Sequence, residues 1–134
     1  MDLNKINEEI PVVIPLHPRT KKILSQNNFD VKFKLIDPVG YFDMIELLKN
    51  CSLVMTDSGG LQKEAFFFHK HCVTLREQTE WVELVDNGFN KVCGNDEEKI
   101  YSAFNYFKNK KSDFNINLYG NGKACEIIAE TILK

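Results

Sequence analysis

Residues 53–76 have the sequence LVMTDSGGLQKEAFFFHKHCVTLR, and this stretch decides the fold. A short apolar strand at 53–55 is followed by a polar turn with two glycines, a helix, and a second apolar strand at 72–75. An oxygen of Asp57 or Ser58 is suited to capping the free N–H groups at the start of the helix. The pattern predicts a strand–turn–helix–strand unit with both strands parallel.

The glycine turn has the chemistry of a phosphate site. Gly59 and Gly60 carry no side chain, so a ligand can approach the backbone closely. Exposed N–H groups and the positive end of the helix dipole favour an anion there. Glu64 shares a helix face with Gly60, because residues four apart do so, and its carboxylate is placed to accept hydrogen bonds from a ribose.

The spacing alone leaves a second interpretation open, since a Ser-Gly-Gly turn can also serve only to turn the chain. The turn is neither the Gly-x-Gly-x-x-Gly dinucleotide motif nor a P-loop, which needs Gly-Lys-Ser/Thr. It is not a nucleophile elbow either, because Ser58 does not lie in a Gly-x-Ser-x-Gly frame.

Strands and helices alternate on both sides of this unit. The other predicted strands are residues 11–16, 31–36 and 91–93. The other predicted helices are residues 1–10, 18–27, 41–50, 80–87 and 97–109, and a final helix that Asn121 caps. The apolar run at 11–16 is typical of a strand covered on both faces. The alternation predicts an α/β fold, a Rossmann-like parallel sheet with helices on both faces.

In such a sheet the ligand lies at the carboxyl ends of the strands. Four predicted strand ends carry polar side chains, and we expect these to converge: His17, Asp37, Asp57-Ser58 and Arg76. His17 is equally consistent with a ligand contact and with no contact. We expect His69 and His71, at a helix end, to be solvated or to neutralise the helix dipole rather than to act in catalysis. We expect residues 66–68 (Phe-Phe-Phe) and Trp81 to pack in the interior.

Composition limits the function classes. A chain of 134 residues is one ordinary domain. The formal net charge is −2 and there is no basic stripe, so we expect no nucleic-acid partner. The apolar runs are short, and we expect no membrane span and no secretory signal. The four cysteines lack a C-x-x-C pair, which argues against a zinc site. We expect reduced thiols in the protein core rather than disulfides, and a cytoplasmic protein. We expect neither metal nor cofactor.

The segments TDSGGLQKEA (56–65), CVTLR (72–76) and Thr79-Glu80 together resemble the most characteristic block of the non-hydrolysing UDP-N-acetylglucosamine 2-epimerases. Tyr41 at the start of the preceding helix and Tyr119-Gly-Asn-Gly before the last one agree with that family. The resemblance covers almost the whole chain. Met44 and Trp81 depart from the family pattern, in which Phe and Arg are usual.

The resemblance implies one half of a GT-B-type two-domain fold, with residues 1–134 as a single UDP-binding domain and the N-terminal half absent. It implies that the full enzyme eliminates UDP and adds it back after inversion at carbon 2. Ser58, Gly59 and Gly60 would hold the diphosphate, Glu64 the ribose and Arg76 a positive charge, with Tyr41 near the uracil. No catalytic residue is expected in this chain, because the acid–base groups belong to the missing half.

The residues around Trp81 and the Phe run are more similar to the branch acting on UDP-2,3-diacetamido-2,3-dideoxyglucuronate. The resemblance further implies a homodimeric full-length enzyme of cell-surface polysaccharide biosynthesis. The alternative function is a stand-alone nucleotide-sugar-binding or regulatory module without catalysis. A glycosyltransferase would share the GT-B architecture, but the block at 56–65 favours an epimerase.

Overall fold

Short strands alternate with helices along the chain in the computed structural model, which describes residues 2–27 and 29–133. Met1, part of the predicted first helix, lies outside the described residues. The strands are β1 Val13–Pro15, β2 Lys34–Ile36, β3 Val54–Thr56, β4 Cys72–Thr74 and β5 Asn90–Val92. The helices are α1 Asp2–Glu9, α2 Pro18–Gln26, α3 Tyr41–Asn50, α4 Gly59–Phe67, α5 Val82–Asp86, α6 Glu97–Phe107 and α7 Ala124–Ile132. This order confirms the α/β class.

The strands form two parallel sheets rather than the single sheet predicted: β1 pairs with β2, and the other sheet has the order β3-β4-β5. The N–H of Leu16 donates to the carbonyl oxygen of Ile36 across 3.0 Å, so this residue faces β2. Successive residues of a strand direct their backbone N–H positions to opposite edges. Pro11 and Pro15, each an odd number of residues from Leu16, therefore face the other edge of β1. Proline has no N–H to donate, so that edge offers little to a further strand.

Helices cover both faces of the three-stranded sheet, as predicted. Cys72 and Val73 of β4 are both fully buried and, as neighbours in a strand, face opposite sides. Cys72 packs with Leu48 of α3 and Ala65 of α4. Val73 packs with Phe107 of α6 on the other side. The core of this half of the chain is therefore built around β4.

Two expectations about residues 66–71 are wrong. Phe66 is buried, but Phe67 is 55% exposed, because successive helical residues point about 100° apart and cannot all face the interior. His71 is also not solvated: it is 6% exposed and lies 2.9 Å from the Ser112 hydroxyl. Its ring stacks on Phe107 at 4.7 Å between centroids. His69 is exposed, as expected.

Two terminal segments also differ from expectation. Val13 in β1 is 41% exposed, so this strand is not covered on both faces. Asn121 does not cap the last helix; Lys123 occupies the cap position and makes no side-chain cap bond. Gly122, between Asn121 and Lys123, has φ of 80°. This left-handed conformation is not helical, so the helix begins only after Gly122.

Helix α7 lies with its apolar side chains in the open. Its exposed residues are Ile127 (61%), Ile128 (57%) and Ile132 (77%), and Leu133 just beyond it is 86% exposed. Residues 2–27 and 29–133 leave these apolar side chains largely uncovered. None of the described helices is both long and apolar enough to cross a membrane.

Candidate functional site

The turn between β3 and α4 is shaped by Ser58, which is the cap of the helix. Its Oγ accepts a hydrogen bond from the N–H of Leu61 at 3.5 Å, and its own N–H donates to Oγ1 of Thr56 at 3.0 Å. Of the two predicted capping residues, Ser58 rather than Asp57 has this role. The two bonds tie the turn to the end of the strand and to the first turn of the helix.

Gly59 and Gly60 face different surroundings. A Cβ atom on Gly60 would meet no atom within 4 Å, so this residue borders open space at the start of a nine-residue helix. A Cβ on Gly59 would overlap the carboxylate of Glu80 and lie 3.6 Å from Nη1 of Arg76. The turn is thus open at Gly60 and closed at Gly59 by the loop after β4.

Arg76 brings a positive charge to the turn from the carboxyl end of β4. Its Nη1 pairs with Oε2 of Glu80 at 3.1 Å, and the side chains are 38% and 48% exposed. An ion pair this exposed contributes little to stability, about 0–1 kcal/mol. Arg76 can therefore exchange Glu80 for an anionic ligand at small cost, while the helix dipole adds attraction for that anion.

Glu64 lies one helical turn beyond Gly60. Its side chain is partly buried, and among the described residues its carboxylate has no hydrogen-bond or ion-pair partner. A carboxylate without an internal partner is available to accept hydrogen bonds from hydroxyl groups of a ligand.

His17 and Tyr41 make their described contacts within their own helices. The Nδ1 atom of His17 accepts a hydrogen bond from the N–H of Arg19 at 3.3 Å, which makes His17 the cap of α2. Tyr41 is 64% exposed at the start of α3, with its ring 6.0 Å from that of Phe42. Within residues 2–27 and 29–133, no hydrogen bond or ion pair joins either side chain to the glycine turn. The structure thus gathers Ser58, Gly59, Gly60 and Arg76, with Glu64 a turn away.

Gln62 was not singled out from the sequence, yet it is fully buried beneath the turn. Its Oε1 accepts hydrogen bonds from Thr74 at 3.1 Å and from Thr79 at 2.7 Å. The sequence feature that could have identified Gln62 is its position between Leu61 and Ala65, on the side of the helix that faces the core. Such a residue needs buried partners, and those partners lie too far along the chain for a local pattern to identify.

The buried cysteine thiols are not activated as nucleophiles, because activation requires a lowered thiol pKa. Burial raises the pKa of the Cys72 thiol to about 12 and raises those of Cys51 and Cys93 as well. Cys125 is exposed, so not all four cysteines are core residues as expected. Among the described residues no group of three or more His, Cys, Asp or Glu side chains could hold a metal ion.

The chain is similar in sequence and in fold to UDP-sugar 2-epimerases. A family model described as UDP-N-acetylglucosamine 2-epimerase matches residues 1–133. The UDP-2,3-diacetamido-2,3-dideoxy-D-glucuronate 2-epimerase of Pseudomonas aeruginosa is 47% identical over 98% of this chain and 38% of its own length. The Escherichia coli K12 UDP-N-acetylglucosamine 2-epimerase is 30% identical over 98% of this chain.

Solved structures agree with the sequence relatives. The Methanocaldococcus jannaschii UDP-GlcNAc 2-epimerase in complex with UDP-GlcNAc and UDP superposes with a TM-score of 0.84 and 38% identity, covering 98% of this chain and 38% of that protein. The enzyme of Neisseria meningitidis bound to UDP-GlcNAc gives a TM-score of 0.72 at 29% identity. The chain thus spans little more than a third of the length of these relatives.

Proposed function

The chain belongs to the UDP-N-acetylglucosamine 2-epimerase family, and we propose that it is the UDP-binding half of such an enzyme. The observation that carries this proposal is the glycine turn, open at Gly60 with Arg76 beside Gly59. Backbone N–H groups at a helix start and a nearby guanidinium favour a diphosphate. The relatives' complexes with UDP and UDP-GlcNAc support this ligand.

In the proposed complex each group meets one part of UDP. The N–H groups at Ser58–Gly60 hold the diphosphate, Arg76 leaves Glu80 to neutralise it, and Glu64 accepts hydrogen bonds from the ribose. Tyr41 and the loop before it border the uracil, and His17 adds a contact from its own strand end. The last two roles require the β1–β2 sheet and the glycine turn to meet around the ligand.

The proposed reaction of the full enzyme eliminates UDP from the sugar nucleotide and adds it back with inverted configuration at carbon 2. Negative charge then develops on the departing diphosphate, and fixed N–H donors together with a guanidinium stabilise it. This chain holds the leaving group. The groups that move protons lie in the other half, so the isolated chain binds UDP without turnover.

The substrate of the full enzyme is proposed from similarity. The 47% identity to the P. aeruginosa enzyme, against 42% for the UDP-N-acetylglucosamine 2-epimerase of Methanocaldococcus jannaschii and 30% for the E. coli enzyme, favours UDP-2,3-diacetamido-2,3-dideoxyglucuronate over UDP-N-acetylglucosamine. Turnover of each sugar nucleotide by the full-length enzyme, compared as kcat/KM, tests this choice.

The exposed apolar side chains of α7 support a role within a larger protein, because surfaces of this kind mark sites of interaction. Part of the proposal is that the remaining enzyme covers them and that the full-length protein works as a homodimer in the cytoplasm. Light scattering on the full-length protein and cell fractionation test the last two points.

Isothermal titration of the chain with UDP is the direct experiment. We expect one site per chain and a heat that falls with added salt, since the ligand is an anion. The variant Arg76→Gln should bind more weakly, whereas Lys49→Gln, which removes an equal charge from an exposed ion pair of α3, should not. Absence of binding at millimolar UDP by the folded chain would overturn the proposal.

The alternative function is a binding or regulatory module without catalysis. It has the same UDP site, but no catalytic half acts together with it. Epimerisation measured for this chain alone would rule it out. Recovery of epimerase activity when the chain is combined with the missing half would favour the enzyme.

A further inference from the structure

One buried oxygen holds both ends of the loop that follows β4. Oε1 of Gln62 accepts hydrogen bonds from Oγ1 of Thr74, where the strand ends, and from Oγ1 of Thr79, five residues later. Gln62 and Thr74 are fully buried. The intervening residues 75–78 include Arg76, whose carbonyl oxygen also accepts a hydrogen bond from the N–H of Gly94 at 3.0 Å. The part of the loop between Arg76 and Thr79 therefore depends on the second attachment to Gln62.

The loop is also attached to the glycine turn from its far side. The N–H of Trp81 donates to Oγ1 of Thr79 at 3.1 Å, and the indole Nε1 donates to the carbonyl oxygen of Gly59 at 2.7 Å. Since Gly59 and Gln62 belong to the same helix, the contacts form a closed ring. It runs from Gly59 along α4 to Gln62, then through Thr79 and Trp81 back to Gly59.

This ring of contacts holds the loop after β4 next to the glycine turn. Arg76 and Glu80, the two residues closest to a Cβ position on Gly59, both lie on this loop. The three hydrogen bonds of this ring are partly buried, and opening any of them leaves a donor or acceptor with restricted access to water, so the ring resists opening. The position of Glu80, and with it that of the Arg76 guanidinium that pairs with Glu80, therefore depends on Thr79 keeping its bond to Gln62.

We propose that Gln62 and Thr79 are positioning residues that hold Arg76 against the Ser58–Gly60 turn and thereby set the affinity for the diphosphate of the ligand. This inference rests on the proposed UDP function for its ligand. The placement of the loop itself is a property of the ligand-free chain and can be measured separately.

Two isosteric variants separate positioning from stability. Thr79→Val removes the hydroxyl from the loop, and Thr74→Val removes the other hydroxyl from the same oxygen but leaves the loop attached at Thr79. Both should lower the unfolding temperature. Only Thr79→Val should weaken UDP binding, about tenfold or more, while uridine affinity, measured by ligand-observed NMR titration, stays unchanged. Thr79→Ser keeps a hydroxyl and should restore UDP binding.

Hydrogen exchange of the ligand-free chain is the second measurement. Amides of residues 77–79 should lose protection in Thr79→Val and keep it in Thr74→Val, whereas the amide of Leu75, which donates to the carbonyl oxygen of Thr56, should stay protected in both. If Thr79→Val does not fold, Thr79→Ala removes the same hydroxyl with a smaller side chain and should have the same effects.

The inference is overturned if Thr79→Val binds UDP as tightly as the parent does, or if its affinity for uridine falls as much as its affinity for UDP. It is also overturned if Thr74→Val weakens UDP binding as much as Thr79→Val does. A parent chain that fails to bind UDP overturns the proposed function instead. Loop protection that differs between the valine variants would then still support the positioning of Arg76.

Discussion

The indole N–H of Trp81 donates a hydrogen bond to the carbonyl oxygen of Gly59 across 2.7 Å. The same ring meets Tyr119 edge-on at 5.8 Å between centroids, and the ammonium of Lys63 lies 4.8 Å from its centroid. Trp81 therefore both packs against Tyr119 and holds the glycine turn.

Replacing Trp81 by Phe should lower the free energy of unfolding by about 0.5–1.5 kcal/mol, because the bond to Gly59 is lost from a partly buried site. Urea unfolding measures this change. Tyr106→Phe is the control, since it removes a hydroxyl contacting Lys110 from a residue that is 48% exposed and should have little effect. Equal losses in both variants would contradict the assignment.

The variant Gly60→Ala should stabilise the fold and damage the site. Alanine is a better helix former by about 0.5–1 kcal/mol, and a Cβ at Gly60 meets no neighbour within 4 Å. The added methyl group should nevertheless obstruct the ligand and weaken UDP binding about tenfold or more. Thermal unfolding and titration check both effects.

Gly59→Ala is the contrasting variant for stability, because its Cβ would displace Glu80. It should unfold at a lower temperature than the parent. UDP affinity unaffected by Gly60→Ala would show that the ligand does not approach the backbone at this turn.

The Glu64→Gln variant tests the ribose contact. We expect UDP binding to weaken by about 1–3 kcal/mol, since a charged acceptor is replaced by a neutral amide. Stability should change little, because the two residues have similar helix propensities. Glu46→Gln, an exposed residue of α3, removes the same charge elsewhere and should leave titration heats unchanged. Matching losses would indicate a general charge effect.

His71 should make the fold sensitive to mild acid. Burial, together with the positive charge of Lys110, lowers the pKa of His71 to about 4, against about 6.5 in an unfolded chain. As pH falls below 6.5 the unfolded state takes up a proton that the native state does not. The free energy of unfolding should therefore decrease down to pH 4, by about 1–2 kcal/mol between pH 7 and pH 5.

The measurement is urea unfolding at intervals across that range. His71→Gln keeps a partner for Ser112 and should flatten the profile between pH 5 and pH 7. His69→Asn is the control: His69 is exposed and has φ of 57°, a conformation that asparagine tolerates. A profile of the parent that matches that of His71→Gln would refute the role of His71.

The apolar side of α7 should make the isolated chain associate with itself as its concentration rises, since exposed apolar patches favour contact. Sedimentation in reducing buffer, which excludes disulfides through the exposed Cys125, measures this. The double variant Ile132→Glu, Leu133→Glu should stay monomeric. Its free energy of unfolding should change by less than about 0.5 kcal/mol, because both side chains are largely exposed. A parent chain that is monomeric throughout would contradict the expectation.

Local features of the sequence were sufficient to predict the order of the strands and helices and the position of the glycine turn. Helix α3 has the predicted bounds, and the glycine turn lies between strand and helix as expected. These features depend on backbone conformation and on the spacing of apolar residues, both of which are set within a few residues. The two-sheet pairing was missed, because it depends on which edge of β1 its prolines face.

The sequence by itself determined a strand, a glycine turn and a capped helix able to meet an anion, because capping and glycine's freedom are local properties. Only the tertiary structure decided which groups surround that turn. Gln62 meets Thr79 across 17 residues, and His71 meets Ser112 across 41. Such pairs form because packing removes polar groups from water and each then needs a partner. Which partner is within reach depends on how the helices pack on the sheet.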